Sequence, residues 1–320
     1  MRGVVLESGR VLVRDDLEPP TPREGWTRVR VLRAGICATD QALARGYMGF
    51  RGVPGHEFVG MALDGPHAGR RVVGEINAAC GTCSTCRAGD GRHCPQRTVL
   101  GIARLGGAFA EQLALPHQNL HAVPDSVSTD AATFVEPLAA ALHLADDLDV
   151  RSFRSAVVAG DGKLGLLCAW ALHLHGVPVT VAGRHADREP LLPPGTVHVT
   201  GMLEEDLAAA RSFDLAVDAT GSSEALPRLL RHVRPRGTVV LKTTTERPVT
   251  LDLAPLVVDE LRLVGSRCGP FGPALAALAA GTVPVERLVA ARYPLAGANE
   301  AFAHACRRGT LKVLLDVSLG

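Results

Sequence analysis

Short runs of alternating apolar and polar residues dominate the first part of the chain. The segment GVVLESGRVLV at 3–13 holds two apolar runs around a Ser-Gly turn, and TRVRVLRAG at 27–35 alternates polar with apolar residues. Residues 58–63 and 71–76 predict further strands, whereas TDQALARG at 39–46 predicts one short helix that stops at a glycine. The pattern therefore predicts a β-rich first domain with half-buried strands.

From about Asp149 the pattern changes to short apolar strands that alternate with helical segments. The segment LGLLCAWALHLHG at 164–176 predicts a helix. The predicted strands are SAVVAG (155–160), VPVTVAG (177–183), DLAVDAT (214–220), TVVLKTT (238–244) and LRLVGS (261–266). Such alternation predicts an α/β domain with a doubly wound parallel sheet. Further along, residues 298–309 predict a helix, and 312–317 predict a strand that can rejoin the first domain.

Length and charge limit the class of protein. The chain has 320 residues, enough for two domains, and its 34 Lys and Arg nearly balance its 33 Asp and Glu. Because there is no basic excess, we expect a small-molecule substrate and not nucleic acid or a membrane as the main partner. The first residues are charged throughout, and no run of about 18 apolar residues occurs. We therefore expect a soluble, cytoplasmic protein whose cysteines are metal ligands or free thiols.

A polar loop at 80–94, CGTCSTCRAGDGRHC, carries four cysteines with the spacing C-x2-C-x2-C-x7-C. This spacing lets four thiolates converge tetrahedrally on one metal ion. The intervening residues include Gly, Ser, Thr, Arg and Asp, so the loop offers no apolar surroundings that would bury the cysteines as small hydrophobic residues. The predicted ligands of a structural zinc ion are Cys80, Cys83, Cys86 and Cys94. A site with four sulfur ligands has no open position, so it is expected to brace the domain.

The turn between the first strand and the first helix of the second domain has the pattern GxGxxG. Gly160 permits the tight turn, Gly162 lets the backbone approach a pyrophosphate, and Gly165 lets the helix pack on the sheet. The helix N-terminus then faces the phosphates. Lys163 can lean toward the pyrophosphate or point into solvent, and Leu164 belongs to the same predicted phosphate-binding segment.

The end of the second strand predicts which nicotinamide cofactor binds. An acidic residue there usually accepts the ribose 2′-hydroxyl of NAD, but this chain has Gly183 followed by Arg184. Arginine suits a forked contact with a 2′-phosphate, so the sequence favours NADP over NAD. Thr220 and Ser266 follow two later strands at the edge where such sheets bind ligands, and they complete the predicted cofactor-binding residues.

The stretch from Gly35 to Gly60 carries side chains of the three types that bind zinc. Cys37, His56 and Glu57 supply a thiolate, an imidazole and a carboxylate, with Thr39 and Asp40 beside the first of them. Spacing alone does not distinguish a metal site from a structural role for these residues. They are candidates that depend on what the rest of the chain supplies.

Glu136 is a further candidate because it lies in apolar surroundings. Phe134, Val135 and Leu138 are its neighbours, and the alanine-rich segment that follows predicts a helix. A carboxylate at the start of a helix is favoured by the helix dipole even without a ligand. An acid among apolar residues nevertheless requires a cation nearby.

With these features in order, the sequence resembles the zinc-dependent medium-chain dehydrogenase/reductase family over essentially its whole length. The resemblance implies a β-rich, GroES-like catalytic domain at 1–140 and a Rossmann-type dinucleotide-binding domain at 141–285. Residues 286–320 would return to the catalytic domain. It also implies a homodimer or homotetramer that binds one catalytic and one structural zinc ion and transfers hydride between an alcohol or polyol and NADP(H).

The resemblance assigns roles at the catalytic zinc. It implies that Cys37 and His56 are ligands and that Glu57 lies at the metal or just behind it. The branch of polyol, glucose and threonine dehydrogenases uses the glutamate of a Glu-Pro dipeptide as the third ligand, and Glu136-Pro137 looks like this dipeptide.

The resemblance also assigns a route for the proton of the alcohol. Thr39 is placed to pass the proton on, and Asp40 is placed to hold the ligand histidine from behind. Many alcohol dehydrogenases of the family carry a relaying histidine five residues after the ligand cysteine, where this chain has Ala42. Water or the cofactor ribose would then carry the proton outward.

Three other functions are compatible with parts of the sequence. A zinc-free enoyl or quinone reductase would share the fold, but Cys37, His56 and Glu136 together argue against it. A zinc-ribbon protein that binds nucleic acid is disfavoured by the neutral charge and by the dinucleotide turn. A catalytically silent NADP(H)-binding sensor on the same fold remains an alternative.

Overall fold

The computed structural model describes residues 1–21, 23–146, 148–201, 211–245 and 248–318. The chain divides into two compact units. The first joins Met1–Glu136 to Pro270–Gly320, and the second is the continuous segment Pro137–Gly269. The second unit thus ends ahead of the expected boundary at 285. Phe271 explains the difference, because its backbone N–H donates to Glu75 of the first unit at 3.4 Å.

The first unit is rich in short strands, as the alternating pattern predicts. Its strands before Glu136 are β1 (Gly3–Glu7), β2 (Arg10–Arg14), β3 (Trp26–Ile36), β4 (Glu57–Ala62), β5 (Arg71–Gly74), β6 (Asn77–Ala78), β7 (Thr98–Leu100), β8 (Arg104–Leu105), β9 (Gln112–Pro116) and β10 (Leu120–Ala122). The second unit contains β11 (Ala156–Ala159), β12 (Val179–Gly183), β13 (Val197–Thr200), β14 (Phe213–Asp218), β15 (Val233–Leu241) and β16 (Arg262–Gly265). The first unit resumes with β17 (Val289–Pro294) and β18 (Lys312–Asp316).

The described strands of the first unit form three sheets. The largest has the order β10-β5-β4-β3-β18-β17, with β9 also pairing with β3, and the smaller ones are β1-β2 and β6-β7-β8. The C-terminal segment contributes to the largest sheet, because β18 pairs antiparallel with β3 and parallel with β17. Every residue of β18 is buried, so this strand lies in the interior of the unit.

Helices are few and short in the first unit. Those described before the boundary are α1 (Ala38–Ala44), α2 (Ser84–Arg87) and α3 (Thr129–Ala132), and α4 (Val135–Leu142) crosses the boundary at Glu136. The second unit contains α5 (Lys163–Leu174), α6 (Ala225–Leu229) and α7 (Ala254–Val258). The first unit continues with α8 (Phe271–Ala279) and α9 (Ala298–Ala305). Short 3-10 helices lie at Tyr47–Gly49, Gly65–His67, Gly91–His93, His117–Asn119, His143–Ala145, Val150–Ser152, Ala186–Leu191, Leu230–His232, Val285–Leu288 and Leu295–Gly297.

The second unit contains the predicted parallel sheet. Its strand order is β13-β12-β11-β14-β15-β16, and each of the five pairs of neighbouring strands is parallel. The central strand β11 has the sequence AVVA and is buried at every position, as expected of a strand covered on both faces. The strand β13 was not predicted from the sequence, and among the described strands it lies at one edge of the sheet.

The helix that follows β11 positions the glycine-rich turn. Gly162 is the N-cap residue of α5, and seven residues along the helix are buried. Because α5 packs against the sheet, its N-terminus lies at the carboxyl end of β11. Among the described residues, no helix combines the length and the apolar character needed to cross a membrane.

Candidate functional site

The helix α1 begins at Cys37, which has an extended backbone and serves as its N-cap residue. Asp40, three residues into the helix, accepts the backbone N–H of Cys37 at 2.8 Å through Oδ2. This local bond satisfies one of the backbone donors at the helix start and fixes the direction of the Cys37 side chain. The hydroxyl of Thr39 lies 3.9 Å from the Cys37 sulfur.

Asp40 also connects this helix to the segment that carries His56. Its other oxygen, Oδ1, accepts the backbone N–H of Gly55 at 3.1 Å and lies 3.4 Å from Nδ1 of His56. The Asp40 side chain is fully buried. One carboxylate therefore sets the relative positions of Cys37 and His56, which are far apart in the sequence.

His56 is buried in an electronegative environment. Burial lowers the pKa of its imidazole, but the Asp40 carboxylate and the Cys37 thiol raise it more, so the pKa lies well above the usual value. Nδ1 of His56 is buried and has no hydrogen bond of good geometry. The side chain is thus surrounded by groups that favour positive charge, which a metal ion can provide.

The donor atoms of Cys37, His56 and Glu57 lie within 4.8 Å of one another. Sulfur, imidazole nitrogen and carboxylate oxygen are the donors that zinc prefers, and three protein ligands leave one tetrahedral position open. The residues present therefore fit a catalytic zinc ion. Their roles as ligands remain a prediction.

Glu57 has a second partner that the sequence did not indicate. Its carboxylate forms an ion pair with the ammonium group of Lys312 in β18, and each of the two side chains is 1% exposed. Gly35 makes room for this pair, because a Cβ at position 35 would lie 2.7 Å from the Glu57 Oε2. The ammonium group also lies 5.6 Å from the centre of the Phe134 ring.

Lys312 connects this cluster to Glu136. Burial lowers the pKa of Lys312, but Glu57, Cys37 and Glu136 raise it more, and the net pKa lies above 10.5. Glu136 is half-buried and stands outside the group of donors formed by Cys37, His56 and Glu57. The requirement of Glu136 for a nearby cation is thus met in part by Lys312, and its role as zinc ligand remains a prediction.

The four predicted cysteines of the polar loop come together. Their sulfur atoms form one group within 4.8 Å, with Cys83 at 3.4 Å from Cys86 and 3.8 Å from Cys94, and Cys80 at 3.9 Å from Cys86. Thiolates about 2.3 Å from a tetrahedral zinc ion are about 3.8 Å apart. All eight cysteines of the chain are free, so no disulfide explains this proximity. The geometry fits a closed zinc site.

The charges within this loop differ from one sulfur to the next. Backbone and hydroxyl hydrogen bonds from Thr82 lower the pKa of Cys80 to about 6. Burial and the neighbouring thiols Cys83 and Cys94 raise the pKa of Cys86 to about 12. Four thiols so close to one another repel each other when ionised, and a divalent cation removes that cost.

The three glycines of the predicted dinucleotide turn differ in the space around them. Gly160 has φ of +106°, and a Cβ there would lie 2.7 Å from the carbonyl oxygen of Ala219. A Cβ at Gly165 would lie 1.8 Å from the Gly160 carbonyl oxygen, whereas nothing lies within 4 Å of the corresponding position at Gly162. The turn is therefore closely packed at Gly160 and Gly165 and open at Gly162, where a phosphate would approach.

The other predicted cofactor residues follow strands of the same sheet. Gly183 ends β12 and Arg184 follows it with an exposed side chain. Thr220 follows β14, and its hydroxyl donates to Asp218 at 2.8 Å. Ser266 follows β16 and accepts a hydrogen bond from Lys242 at 3.1 Å. Lys163 and Leu164 begin α5 and are both half-buried.

The chain is similar to known dehydrogenases in both sequence and structure. Residues 23–125 match the family model described as the alcohol dehydrogenase GroES-like domain. An L-threonine 3-dehydrogenase of Chelativorans sp. strain BNC1 is 29% identical over 316 residues and covers 90% of each sequence. The alcohol dehydrogenase TADH of Thermus sp. ATN1 is 30% identical, with a TM-score of 0.88 over 99% of this chain and 100% of that chain. The chain belongs to the zinc-type medium-chain dehydrogenase family.

A third relative of this zinc-type dehydrogenase has a bound cofactor. It is a zinc-binding dehydrogenase of Sinorhizobium meliloti 1021, solved with NADP, which is 27% identical with a TM-score of 0.87 and 99% of each chain covered. The expected architecture is confirmed: the first unit contains a GroES-like domain and the second is a Rossmann-type domain. The protein is an oxidoreductase that acts on CH–OH groups with a nicotinamide cofactor.

Proposed function

We propose that this protein is a zinc-dependent alcohol or polyol dehydrogenase that prefers NADP to NAD. The observation that carries the proposal is the buried cluster of Cys37, His56 and Glu57, whose donor atoms lie within 4.8 Å of one another. A thiolate, an imidazole and carboxylates around an open coordination position are typical of a catalytic zinc site. A zinc-free reductase of the same fold has no use for such a set.

In this proposal the ligands of the catalytic zinc are Cys37, His56 and Glu136. Glu57 would stand just behind the ligands and would not itself bind the ion, since its carboxylate is already paired with Lys312. The pair keeps one of two nearby carboxylates neutralised and so limits the negative charge around the metal. Asp40 orients His56 and the Cys37 loop, as a hydrogen-bonded group behind a ligand does.

The chemistry divides between the metal and the side chains. A zinc ion held by these residues would supply Lewis acidity, which lowers the pKa of water to about 7 in favourable cases. Thr39 lies 3.9 Å from the Cys37 sulfur, and its hydroxyl both donates and accepts, so it would accept the proton of the alcohol while it passes its own proton on. Ala42 has no group that can continue the relay, so the proton from Thr39 would have to pass to water or to the ribose of the cofactor.

The closed group of Cys80, Cys83, Cys86 and Cys94 holds the second zinc ion. The preference for NADP rests on the exposed Arg184 at the end of β12, since a guanidinium group can bind a 2′-phosphate through two parallel hydrogen bonds. We place the enzyme in the cytoplasm, because a protein with eight free cysteines suits a reducing compartment.

A panel of substrates tests the reaction. Alcohols, polyols, sugars and amino alcohols are each mixed with NADP or NAD, and reduction of the cofactor is followed at 340 nm. We expect reduction of NADP with at least one class, loss of that activity after chelation, and its return when zinc is added. Silence with every class would favour a sensor, and activity that survives removal of all metal would favour a zinc-free reductase.

Metal analysis tests the ligand set. Mass spectrometry of the native protein should find two zinc ions per chain, and Glu136→Ala should retain only one. The matched control is Glu300→Ala, which removes an exposed carboxylate from α9 of the same unit. If Glu136→Ala keeps both zinc ions, Glu57 and not Glu136 completes the site.

We also propose that the protein forms a homodimer or a homotetramer. The strand β16 lies at one edge of the parallel sheet among the described strands, and no residue of the adjacent α7 is buried. Large apolar side chains are exposed there, including Val257 at 76% and Val258 at 77%. An exposed edge strand beside apolar side chains is a typical contact surface for a second copy.

Light scattering coupled to gel filtration tests the assembly. The double variant Val257→Glu, Val258→Glu should shift the protein toward the monomer. Leu174→Glu is the control, because Leu174 is a partly exposed residue at the end of α5 and lies outside this surface. A native protein that is monomeric at every concentration would refute the proposal.

A further inference from the structure

Asp161, between the first two glycines of the dinucleotide turn, is 4% exposed. Its Oδ2 accepts the backbone N–H groups of Arg184 at 2.8 Å and His185 at 2.7 Å. Its Oδ1 lies 2.8 Å from the ring Nδ1 of His185. The carboxylate therefore anchors the residues that follow β12, where the ribose end of a dinucleotide binds in sheets of this kind.

The position of this carboxylate explains the glycine at 183. A Cβ built on Gly183 would lie 2.1 Å from Cγ of Asp161, much closer than side chains approach one another. Asp161 thus occupies the space in which a side chain of residue 183 would begin. The acid that other sheets carry at the end of the second strand cannot be accommodated here while Asp161 is present.

The carboxylate has little capacity left for a ligand. It accepts three hydrogen bonds from the turn, and Nε2 of His198 lies 3.9 Å from Oδ2. Burial raises the pKa of Asp161, but the ring and backbone of His185 lower it more, so the group is ionised at neutral pH. Its charge is balanced inside the turn, and it cannot bind the two ribose hydroxyls as a free acid would.

The same contacts fix the side chains that face outward. A carboxylate only accepts, so Nδ1 of His185 carries the proton and the ring is held with Nε2 on its opposite side. The His185 side chain remains 27% exposed, and that of Arg184 is exposed. Two side chains that can bind an anion are therefore presented by a backbone that Asp161 holds rigidly.

Building on the proposed NADP preference, we infer that Asp161 determines cofactor specificity in this protein. It fixes Arg184 and His185 so that they bind a 2′-phosphate monoester, and it excludes an acid at position 183 that would bind a free 2′-hydroxyl. Asp161 acts through the turn and does not itself contact the phosphate. It is a positioning residue for the adenosine end of the cofactor.

Calorimetry with two fragments of the cofactor tests this inference on the full-length, zinc-loaded protein. The probes are adenosine 2′,5′-bisphosphate and adenosine 5′-monophosphate, which differ only in the 2′-phosphate and need no turnover. Asp161→Asn should weaken the bisphosphate by about tenfold or more, because the amide nitrogen faces donors and the turn loosens. The monophosphate should change by less than about threefold, and Asp149→Asn, an exposed acid of the same unit, should change neither.

An exchange of positions keeps the test decisive if Asp161→Asn folds poorly. Gly183→Asp alone should abolish binding of both probes, because the two carboxylates would overlap. The double variant Asp161→Gly, Gly183→Asp should restore the monophosphate and lose the preference for the bisphosphate. Unfolding midpoints of all variants separate these effects from loss of the fold.

The outcomes separate the two proposals. Wild-type protein that binds both probes equally would refute the NADP preference and the role of Arg184. An unchanged ratio of affinities in Asp161→Asn would overturn the inference about Asp161, and so would normal binding by Gly183→Asp. Binding by Gly183→Asp tests the role of Asp161 whichever cofactor the wild type prefers.

Discussion

At the scale of single residues, the pairing of Lys312 with Glu57 is the main feature that balances charge at the candidate zinc site. Cys37, Glu57 and Glu136 all raise the pKa of Lys312 against the effect of burial, so the lysine stays protonated. Both members of the pair are almost fully buried. Removing one of them leaves an uncompensated charge in a low dielectric, whereas removing both does not.

This difference gives a prediction for the zinc-loaded protein. Lys312→Met should lower the free energy of unfolding in urea by about 3–5 kcal/mol, and the double variant Lys312→Met, Glu57→Gln should recover most of that loss. Arg14→Met is the control, because its pair with Asp16 is exposed, and we expect no measurable change. A double variant that loses the sum of the two single effects would show that the residues do not act as a pair.

The sequence revealed one member of this pair and not the other. Glu57 stands next to His56 in a recognisable motif, and its residue type alone suggests a metal site. Lys312 lies 255 residues away and belongs to a strand whose pattern predicts only a buried element. Partners brought together by a sheet have no fixed spacing, so no local signal could identify Lys312. Asp161 can likewise be located in the glycine-rich turn from the sequence, but its hydrogen bonds to Arg184 and His185 cannot be predicted from it.

At the scale of elements, the loop at 80–94 has one buried residue, Cys94, and we expect the loop to depend more on its metal than on apolar packing. Its helix α2 has only four residues and none of them is buried. The contacts within the loop are local backbone hydrogen bonds, such as Asp90 N–H to the Thr85 carbonyl, and sulfur atoms 3.4–3.9 Å apart. Binding of zinc to such sites contributes about 10–16 kcal/mol in isolated peptides.

Cys83→Ser tests this dependence. The variant should lose one of two zinc ions, and protease should cut within 80–94, as found by mass spectrometry of the fragments. The catalytic zinc should be retained, because Cys37 and His56 are held by Asp40. Cys306→Ser, which alters an exposed free thiol, should retain both zinc ions and resist cleavage. Equal cleavage in both variants would contradict a bracing role for the metal.

Ion pairs connect the elements that the two ends of the first unit contribute. Arg33 of β3 donates to Asp130 of α3 and to Asp316 of β18, and Arg292 of β17 also donates to Asp130. Burial raises the pKa of Asp130, but Arg292 and Arg33 lower it more, so the pKa in the folded protein is below 3.8. The ion pairs of Asp130 therefore contribute fully to stability above the pKa that Asp130 has in the unfolded chain. Their contribution is lost as the pH falls through the pKa of Asp130 in the folded protein.

The pH dependence follows directly. At pH 6, Asp130→Asn should be less stable than the wild type by about 1.5–3 kcal/mol. The difference should narrow as the pH falls below about 3.8, because the wild type then loses the same charge. Urea unfolding at a series of pH values measures both, and Asp125→Asn, an exposed acid, should follow the wild type. A difference that is constant with pH would exclude the ionised form as the cause.

Most strands and helices could be predicted because the hydrophobic pattern and the turn residues indicated the same elements. The predicted parallel strands correspond to β11, β12, β14, β15 and β16, and the short helix after Cys37 corresponds to α1. The strand β13 was missed because Val197–Thr200 is short and no residue of it is buried, so its hydrophobic pattern is weak. The position of α8 also escaped prediction, because Phe271 is placed by contacts with Glu75 and His121.

At the scale of the whole molecule, the two units differ in how the chain builds them. Pro137–Gly269 is continuous, whereas the first unit needs residues from both sides of it. The strand β18 completes the sheet between β3 and β17 and is buried at every position. The two units should therefore differ in how they tolerate loss of the C-terminal segment.

Truncation after Gly309 tests this difference. The shortened chain lacks β18 and Lys312, so the first unit should become sensitive to protease and lose zinc from the site at Cys37. A protected fragment that spans about 137–269 should remain, because its sheet is complete. A chain that ends at Ser318 keeps β18 and serves as the control. Full zinc content and an uncut first unit in the shortened chain would contradict the expectation.

The central position of β18 also has a consequence for the order of events during synthesis. Lys312 is made 255 residues after Glu57, on the order of ten seconds or more later at about 5–20 residues per second. The unit Pro137–Gly269 has been synthesised by then, whereas β3, which can already pair with β4 and β9, still lacks β18. Contacts of such long separation form slowly, since the entropy of closing the loop must be overcome first. The pair of Lys312 and Glu57 can therefore form only after the whole nucleotide-binding unit has been synthesised.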